Sequence, residues 1–429
     1  MSGNEPHLDE CGISAYNLLL KMSSKRNSEV ITMSRLKLSR QDRKNLKTFL
    51  CDLVRLPSPS TEEGAVAERV MEEMKRIGLR DVRVDRIGNV IARVGPGSGR
   101  LLMLNGHMDT VQVSDPAAWT RDPFGAEVVD GMLYGLGSCD MKGGMAAMIY
   151  GAKLLRDSGL TLNGDVVVAC VVQEEPSEGL GSRVLIEEEG IRPDWVVLGE
   201  PTNLNVSRGQ RGRLEMRLVT HGRSAHAASP HLGDNAIYST ARLVFGLELL
   251  AGQLTEDDFL GPGALAVTDI KSYASSRNAI PYRCEIVIDR RLTLGENETK
   301  ALAEVQRVIA REGVRADVQV TEYETESYTG YRHRTREFYP AWVLAEDHPL
   351  VVNAVQAVRE QLRRRPQIIH WEFSTEGAYT AGEAGIPSIG FGPGDACRAH
   401  TADEHVCLED VYRAAEVYAR LAIKLLGDS

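Results

Sequence analysis

Two stretches decide how this chain folds: LLMLNGHMD at residues 101–109 and VVVACVVQEE at residues 166–175. Each begins as a short, unbroken apolar run, the pattern of a strand buried on both faces of a parallel sheet, and each then turns abruptly polar. A third run, Trp195 to Leu198, ends in the same way at Gly199-Glu200-Pro201. Helical spacing fills the intervals, from about Lys142 to Arg156 and near Leu180 to Glu189. Strands that alternate with helices predict a mostly parallel α/β sheet.

Reading outward, Leu46, Phe49, Leu50, Leu53 and Val54 recur at helical spacing until Pro57 and Pro59 interrupt them. A second helix between Thr61 and Gly78 carries Val66, Val70, Met74 and Ile77 on one face. After Arg211 the rhythm changes. A strand with Leu214, Met216 and Leu218 inward precedes a helix from Asn235 to Leu250. Strands at Ala264 to Ile270 and around Cys284, Ile286 and Ile288 follow, then a helix from Thr299 to Glu312 and a strand at Val318 to Val320. This βαββαβ order predicts a ferredoxin-like unit of roughly 115 residues inserted in the larger domain, large enough for its own core. The expected organisation is a catalytic domain in two parts, 33–210 and 328–429, around a lid and dimerisation domain at 211–327, with residues 1–32 a tail or a misassigned start.

Composition narrows the function. The 429 residues are 43% hydrophobic and 26% charged, an ordinary globular balance, and the formal charge is −10. No Lys/Arg-rich run offers a phosphate-backbone footprint, so nucleic acid is not an expected partner. Apolar runs such as Val166 to Val172 fall far short of the ~18 residues of a membrane span. Glu5, Asp9 and Glu10 replace the basic start of a secretory signal. Seven scattered cysteines, never spaced CxxC, suit reduced thiols and exclude zinc-finger and thioredoxin readings. A cytoplasmic location is expected.

The chemistry lies where the strands end. The carboxyl ends of parallel strands share one rim, so His107 and Asp109, Glu174 and Glu175, and Glu200 should converge there despite their separation in sequence. The glycine-rich Gly135 to Gly144 loop delivers Asp140 to the same rim, and Gly390-Phe391-Gly392-Pro393-Gly394 leads to His400. Taken singly, each has a bland reading: a turn pair, a solvated strand end, a tight turn into a helix. Together, the carboxylates would repel one another without a cation. His107, Asp140, Glu175, Glu200 and His400 offer donors suited to zinc, or to cobalt or manganese, and two ions sharing one carboxylate would use all five.

The motifs HMDTV (107–111), GSCDMKGG (137–144), QEE (173–175), GEPT (199–202), GRSAHA (222–227) and GFGPG…AHTADE (390–404) together resemble the dinuclear zinc peptidase and deacylase family. That family includes succinyl-diaminopimelate desuccinylase, acetylornithine deacetylase and glutamate carboxypeptidase. The likeness covers about residues 40 to 425. RGQRGR (208–213), DRRLT (289–293) and FSTEG (373–377) look most like its selenium-metabolism hydrolase branch. The resemblance implies that His107 and Glu200 hold one metal, that Glu175 and His400 hold the other, and that Asp140 bridges them. It further implies that Asp109 orients His107 and Glu174 is the general base. His226, from the same or a neighbouring subunit, would stabilise the oxyanion, with Asn278 and Arg290 contacting substrate. Glu376 departs from the Asp that many members carry.

The expected activity is metal-dependent hydrolysis of the amide bond of a small N-acyl amino acid or short peptide, through a metal-bridging water and in a homodimer. A ureido or carbamoyl amidohydrolase is the alternative within the fold, though Glu200 matches deacylases and carboxypeptidases, whereas the carbamoyl branch tends to have His there. A binding protein that has lost turnover is the alternative outside enzymes, and such relatives usually lack a ligand or the base.

Overall fold

The computed structural model describes residues 36–427; the expected tail at 1–32 lies outside them. Nine strands form the main sheet, in the spatial order Arg80–Val84, Val90–Val94, Gly164–Val171, Arg100–His107, Trp195–Leu198, Ser388–Gly390, Val206–Gln210 and Trp342–Val343, with Ile368–Trp371 also pairing Val206–Gln210. The four strands from Gly164–Val171 to Ser388–Gly390 are mutually parallel, whereas the strands flanking them pair antiparallel. The centre therefore reads as the apolar runs suggest, and every residue of Gly164–Val171 is buried. The flanks are less apolar: Arg80–Val84 is mostly exposed, which left it without a strand signal.

Helices cover both faces. Arg40–Arg55 starts at Ser39, whose hydroxyl accepts from the Asp42 amide at 3.0 Å, and it buries Leu46, Phe49, Leu50, Leu53 and Val54. Gly143–Asp157 is buried along most of its length beneath Leu408–Leu426. The two helices cross closely at Gly151, where a Cβ would meet the Ala415 carbonyl oxygen at 2.9 Å.

The second unit follows the βαββαβ order. Its antiparallel sheet runs Ala264–Tyr273, Arg283–Leu292, Gly212–His221, Ala316–Val320, and the helices Ala236–Ala251 and Glu298–Glu312 pack on one face. Leu214, Met216, Leu218, Ile286, Ile288, Leu243 and Val305 make a core separate from that of the main domain. Strict alternation along Arg283–Leu292 buries every second residue, and Arg290 falls on the buried parity. The hairpin Glu322–Glu326 and Arg332–Arg336 returns the chain to the main domain, where Tyr323, Tyr328 and Tyr331 pack on its core.

Candidate metal centre

Because the four central strands run parallel, their carboxyl ends form one rim, and the predicted residues meet there. His107 closes its strand and is buried. Its Nδ1 faces the Asp109 carbonyl oxygen at 3.0 Å and an Asp109 carboxylate oxygen at 3.6 Å. With Nδ1 engaged, Nε2 is directed at Asp140 (3.2 Å), Glu200 (3.6 Å) and Glu174 (3.9 Å). Asp109 also accepts from the backbone amides of Glu174 and Glu175 at 3.1 and 3.2 Å and from the Ser60 hydroxyl at 2.7 Å. One carboxylate thus ties the His107 turn to the Glu174-Glu175 turn.

Two groups of donors result: His107, Asp140 and Glu200, and Asp140, Glu175 and His400, the ligand atoms of each lying within 4.8 Å of one another. Asp140 belongs to both. Its Oδ1 faces His107 and its Oδ2 faces His400 at 3.4 Å, while the same His400 nitrogen is 3.1 Å from Glu175. Close packing of backbone makes this possible: a Cβ on Gly144, just beyond the Asp140 loop, would lie 2.1 Å from the Gly199 carbonyl oxygen beside Glu200.

The electrostatics are those of a site built around positive charge. Burial alone would depress the His107 imidazole, yet Glu200, Asp140, Glu174 and Asp109 drive its pKa well above the usual value. Hydrogen bonds to Asp140 and Glu175 raise His400 to about 10. Burial and the neighbouring carboxylates push Glu174 and Glu200 far up, with His107 opposing. Asp140 goes the other way: burial opposes, but hydrogen bonds from His107 and His400 hold it below the carboxylate range. Imidazole binds a metal only after giving up its proton, so metal binding at His107 and His400 would release protons and depend on pH. Oxygen and imidazole donors in two trios joined by one carboxylate fit two divalent ions.

Glu174 lines the cleft but belongs to neither donor group. Some supports carry no sequence signal at this distance. Glu404 is buried and accepts from the amides of Cys139 (2.8 Å) and Asp140 (3.0 Å), holding the backbone that carries Asp140. Glu63, raised to about 8 by burial and by Asp109, accepts from the Gln173 amide at 3.1 Å. Glu376 is buried and accepts from the amides of Gly179 and Ser182, both at 2.9 Å, bracing the turn after Glu175.

The expected substrate residues fare differently. Arg290 does not reach the cleft. Its side chain is 1% exposed inside the second unit, with Nη2 at 2.7 Å from Glu296 and 3.4 Å from Glu304. The physical reason is strand parity, which puts Arg290 on the face of Ile286 and Ile288 and turns Arg291 toward the cleft. Arg291 and Arg213 line the cleft with Glu178, Phe373 and Ser374. Arg213 is surrounded by Glu178, Glu215, Asp289 and Glu337 at 3.2 to 3.8 Å, whereas Arg291 pairs with Asp289 alone. His226 and Asn278 sit together at the edge of the second unit, where the Ala227 amide donates to the Asn278 carbonyl at 2.8 Å; both are exposed and neither lines the cleft of its own chain.

A rim of imidazole and carboxylate donors at the ends of parallel strands, beside an inserted α/β unit, is the arrangement of a dinuclear metallohydrolase. Residues 103–424 match the model of peptidase family M20/M25/M40, and the chain belongs to that family. It is 38% identical over 383 residues to the uncharacterized protein YgeY of Escherichia coli K12, covering 89% of this chain and 95% of that protein. It is 30% identical over 391 residues to succinyl-diaminopimelate desuccinylase 2 of Ruegeria sp. TM1040, covering 88% and 94%. Among solved structures, the M20 family metallo-carboxypeptidase Sso-CP2 from Sulfolobus solfataricus superposes with a TM-score of 0.71 at 17% identity, over 87% of this chain and 97% of that one. The dipeptidase Dug1p from Saccharomyces cerevisiae gives 0.71 at 14%, over 92% and 98%.

Proposed function

We propose that this chain hydrolyses the amide bond of a small N-acyl amino acid or short peptide, using a water shared by two divalent ions. The observation that carries the proposal is Asp140, whose two carboxylate oxygens face separate donor groups. His107 and Glu200 would hold one ion, Glu175 and His400 the other, and Asp140 both. Zinc suits these donors, and cobalt or manganese would be accepted in similar geometry. Bound there, the ions would polarise the scissile carbonyl and lower the pKa of the water.

The chain's own residues supply the rest. Glu174 accepts a proton from the water as its oxygen attacks the carbonyl carbon. The resulting carboxylic acid then delivers that proton to the amine nitrogen as the C–N bond breaks. Asp109 keeps His107 turned so that Nε2, not Nδ1, faces the site. Arg291 replaces Arg290 as the group placed to meet a substrate carboxylate, because it retains donors beyond its pair with Asp289.

A homodimer formed through the second unit is part of this reading. Tyr238, Phe245 and Leu249 are 71%, 66% and 62% exposed on the helix Ala236–Ala251, and Ala264–Tyr273 is an edge strand with Ile270 exposed. Such a contact would also bring His226 toward a neighbouring cleft, where it would stabilise the oxyanion with Asn278 beside it. A cytoplasmic location is supported by the described cysteines, all unpaired. No helix among the described residues is long and apolar enough to cross a membrane.

The test is a panel of N-acyl amino acids, dipeptides and carbamoyl amides on wild type and Glu174→Gln. Wild type should cleave the first two classes. The variant should keep its ions while turnover falls about 10²- to 10⁴-fold. Full activity in Glu174→Gln would remove it as the base, and hydrolysis confined to carbamoyl amides would overturn the substrate class.

A further inference from the structure

Beside the metal centre lies a second, smaller recess of about 200 Å³, bounded by Val111, Val113, Trp119, Leu136 and His400. It shares Val111 and His400 with the catalytic cleft and therefore adjoins it. No residue of the inserted unit contributes to its wall, so its shape does not depend on where that unit stands. Its remaining lining, Gln112, Ser114 and Thr401, is exposed and uncharged.

The recess is held by bonds that do not involve a ligand. The Val111 amide donates to Glu175 at 3.2 Å, which fixes its inner wall to the metal centre. Asp403 accepts from the Thr120 amide at 2.9 Å and the Thr120 hydroxyl at 2.7 Å, joining the loop that carries Trp119 to the loop that carries His400. Asp115 accepts from the Ala117 amide at 3.1 Å and braces the turn before Trp119.

We propose that this recess is a specificity subsite for an apolar substituent of the substrate, ring-sized or branched aliphatic, attached next to the scissile amide. The inference rests on the amide-hydrolase reading and adds to it the character of the group beside the cleaved bond. Size permits it: an enclosed apolar cavity of about 150 Å³ accommodates benzene, and this recess, open on its Gln112, Ser114 and Thr401 side, is no smaller. Chemistry supports it too. The wall holds no Lys or Arg, and the Nε2 of His400 is turned away to Asp140 (3.4 Å) and Glu175 (3.1 Å), so a carboxylate-ended acyl tail would find no free counter-charge there, whereas a hydrocarbon group would lose only its contact with water.

The probes are monocarboxylates that present an acyl half to the ions: acetate, isovalerate and phenylacetate, with succinate as the charged control. Binding is measured calorimetrically on the enzyme loaded with two ions per chain, for wild type, Val113→Trp and Trp119→Ala, with ion content checked for each. Wild type should bind phenylacetate at least tenfold more tightly than acetate, with succinate no better than acetate. Val113→Trp should fill the recess and abolish that increment while acetate binds as before. Trp119→Ala, which leaves space rather than filling it, should lower phenylacetate affinity at least fivefold and spare acetate. Equal binding of acetate and phenylacetate by wild type, binding of neither, or an increment that survives both substitutions would overturn the subsite. The two readings separate cleanly: amide turnover with a flat carboxylate series removes the recess alone, and the expected series without any amide turnover removes the hydrolase reading alone.

Discussion

Arg290→Met should unfold the inserted unit early while leaving substrate preference in place. The Arg290 guanidinium is 1% exposed and faces Glu296 at 2.7 Å and Glu304 at 3.4 Å, with those side chains 1% and 9% exposed. Removing one partner of a buried ion pair strands the other charge and typically destabilises by about 3–5 kcal/mol. Lys300 lies 3.3 Å from Glu296 and compensates part of the loss, which favours the lower end of that range. About 3 kcal/mol corresponds to roughly a hundredfold change in the folding equilibrium of the unit. All four tryptophans, at positions 119, 195, 342 and 371, lie outside residues 211–327, so two probes distinguish the domains. In urea, far-UV circular dichroism of the variant should fall before tryptophan fluorescence changes, and adding Glu296→Gln should restore part of the loss. An unchanged melt, together with lost discrimination between a substrate and its carboxyl-amidated analogue, would refute the burial argument and return Arg290 to the cleft.

Two further substitutions test the supports of the site. Glu404→Ala removes the acceptor for the Cys139 and Asp140 amides and should weaken ion affinity about 10- to 100-fold, measured by competition with a chelating dye; unchanged affinity would make that brace irrelevant. His226→Ala should lower kcat much more than it raises KM and leave ion content intact, and a parallel loss of ions would make His226 a ligand instead.

Much of this architecture is legible in the sequence because its signals are local. The apolar runs ending at His107, Val172 and Leu198 mark central strands, and the rule that parallel strands share a rim brings their distant polar ends together. The strand Trp195–Leu198 begins and ends where the pattern places it. What the pattern hides is nonlocal or weakly apolar. Arg80–Val84 carries three charged residues and Val206–Gln210 only one large apolar side chain, so tertiary pairing rather than composition makes them strands. Glu404 and Glu63 act on backbone amides far away in sequence, which no spacing reveals. Arg290 is instructive in another way. The alternation that turns Cys284, Ile286 and Ile288 inward also turns Arg290 inward, so the residue to aim at the cleft was Arg291.

If one carboxylate, Asp140, joins two ion sites, the two should stand or fall together. Metal analysis of purified chain after saturation and removal of free ion tests it most directly, with wild type compared against Asp140→Ala. Wild type should hold about two divalent ions per chain and lose activity reversibly on chelation, and the variant should lose both ions together, because Asp140 is a member of each donor group. One ion per wild-type chain, or a variant that loses one site and retains the other at full affinity, would contradict it.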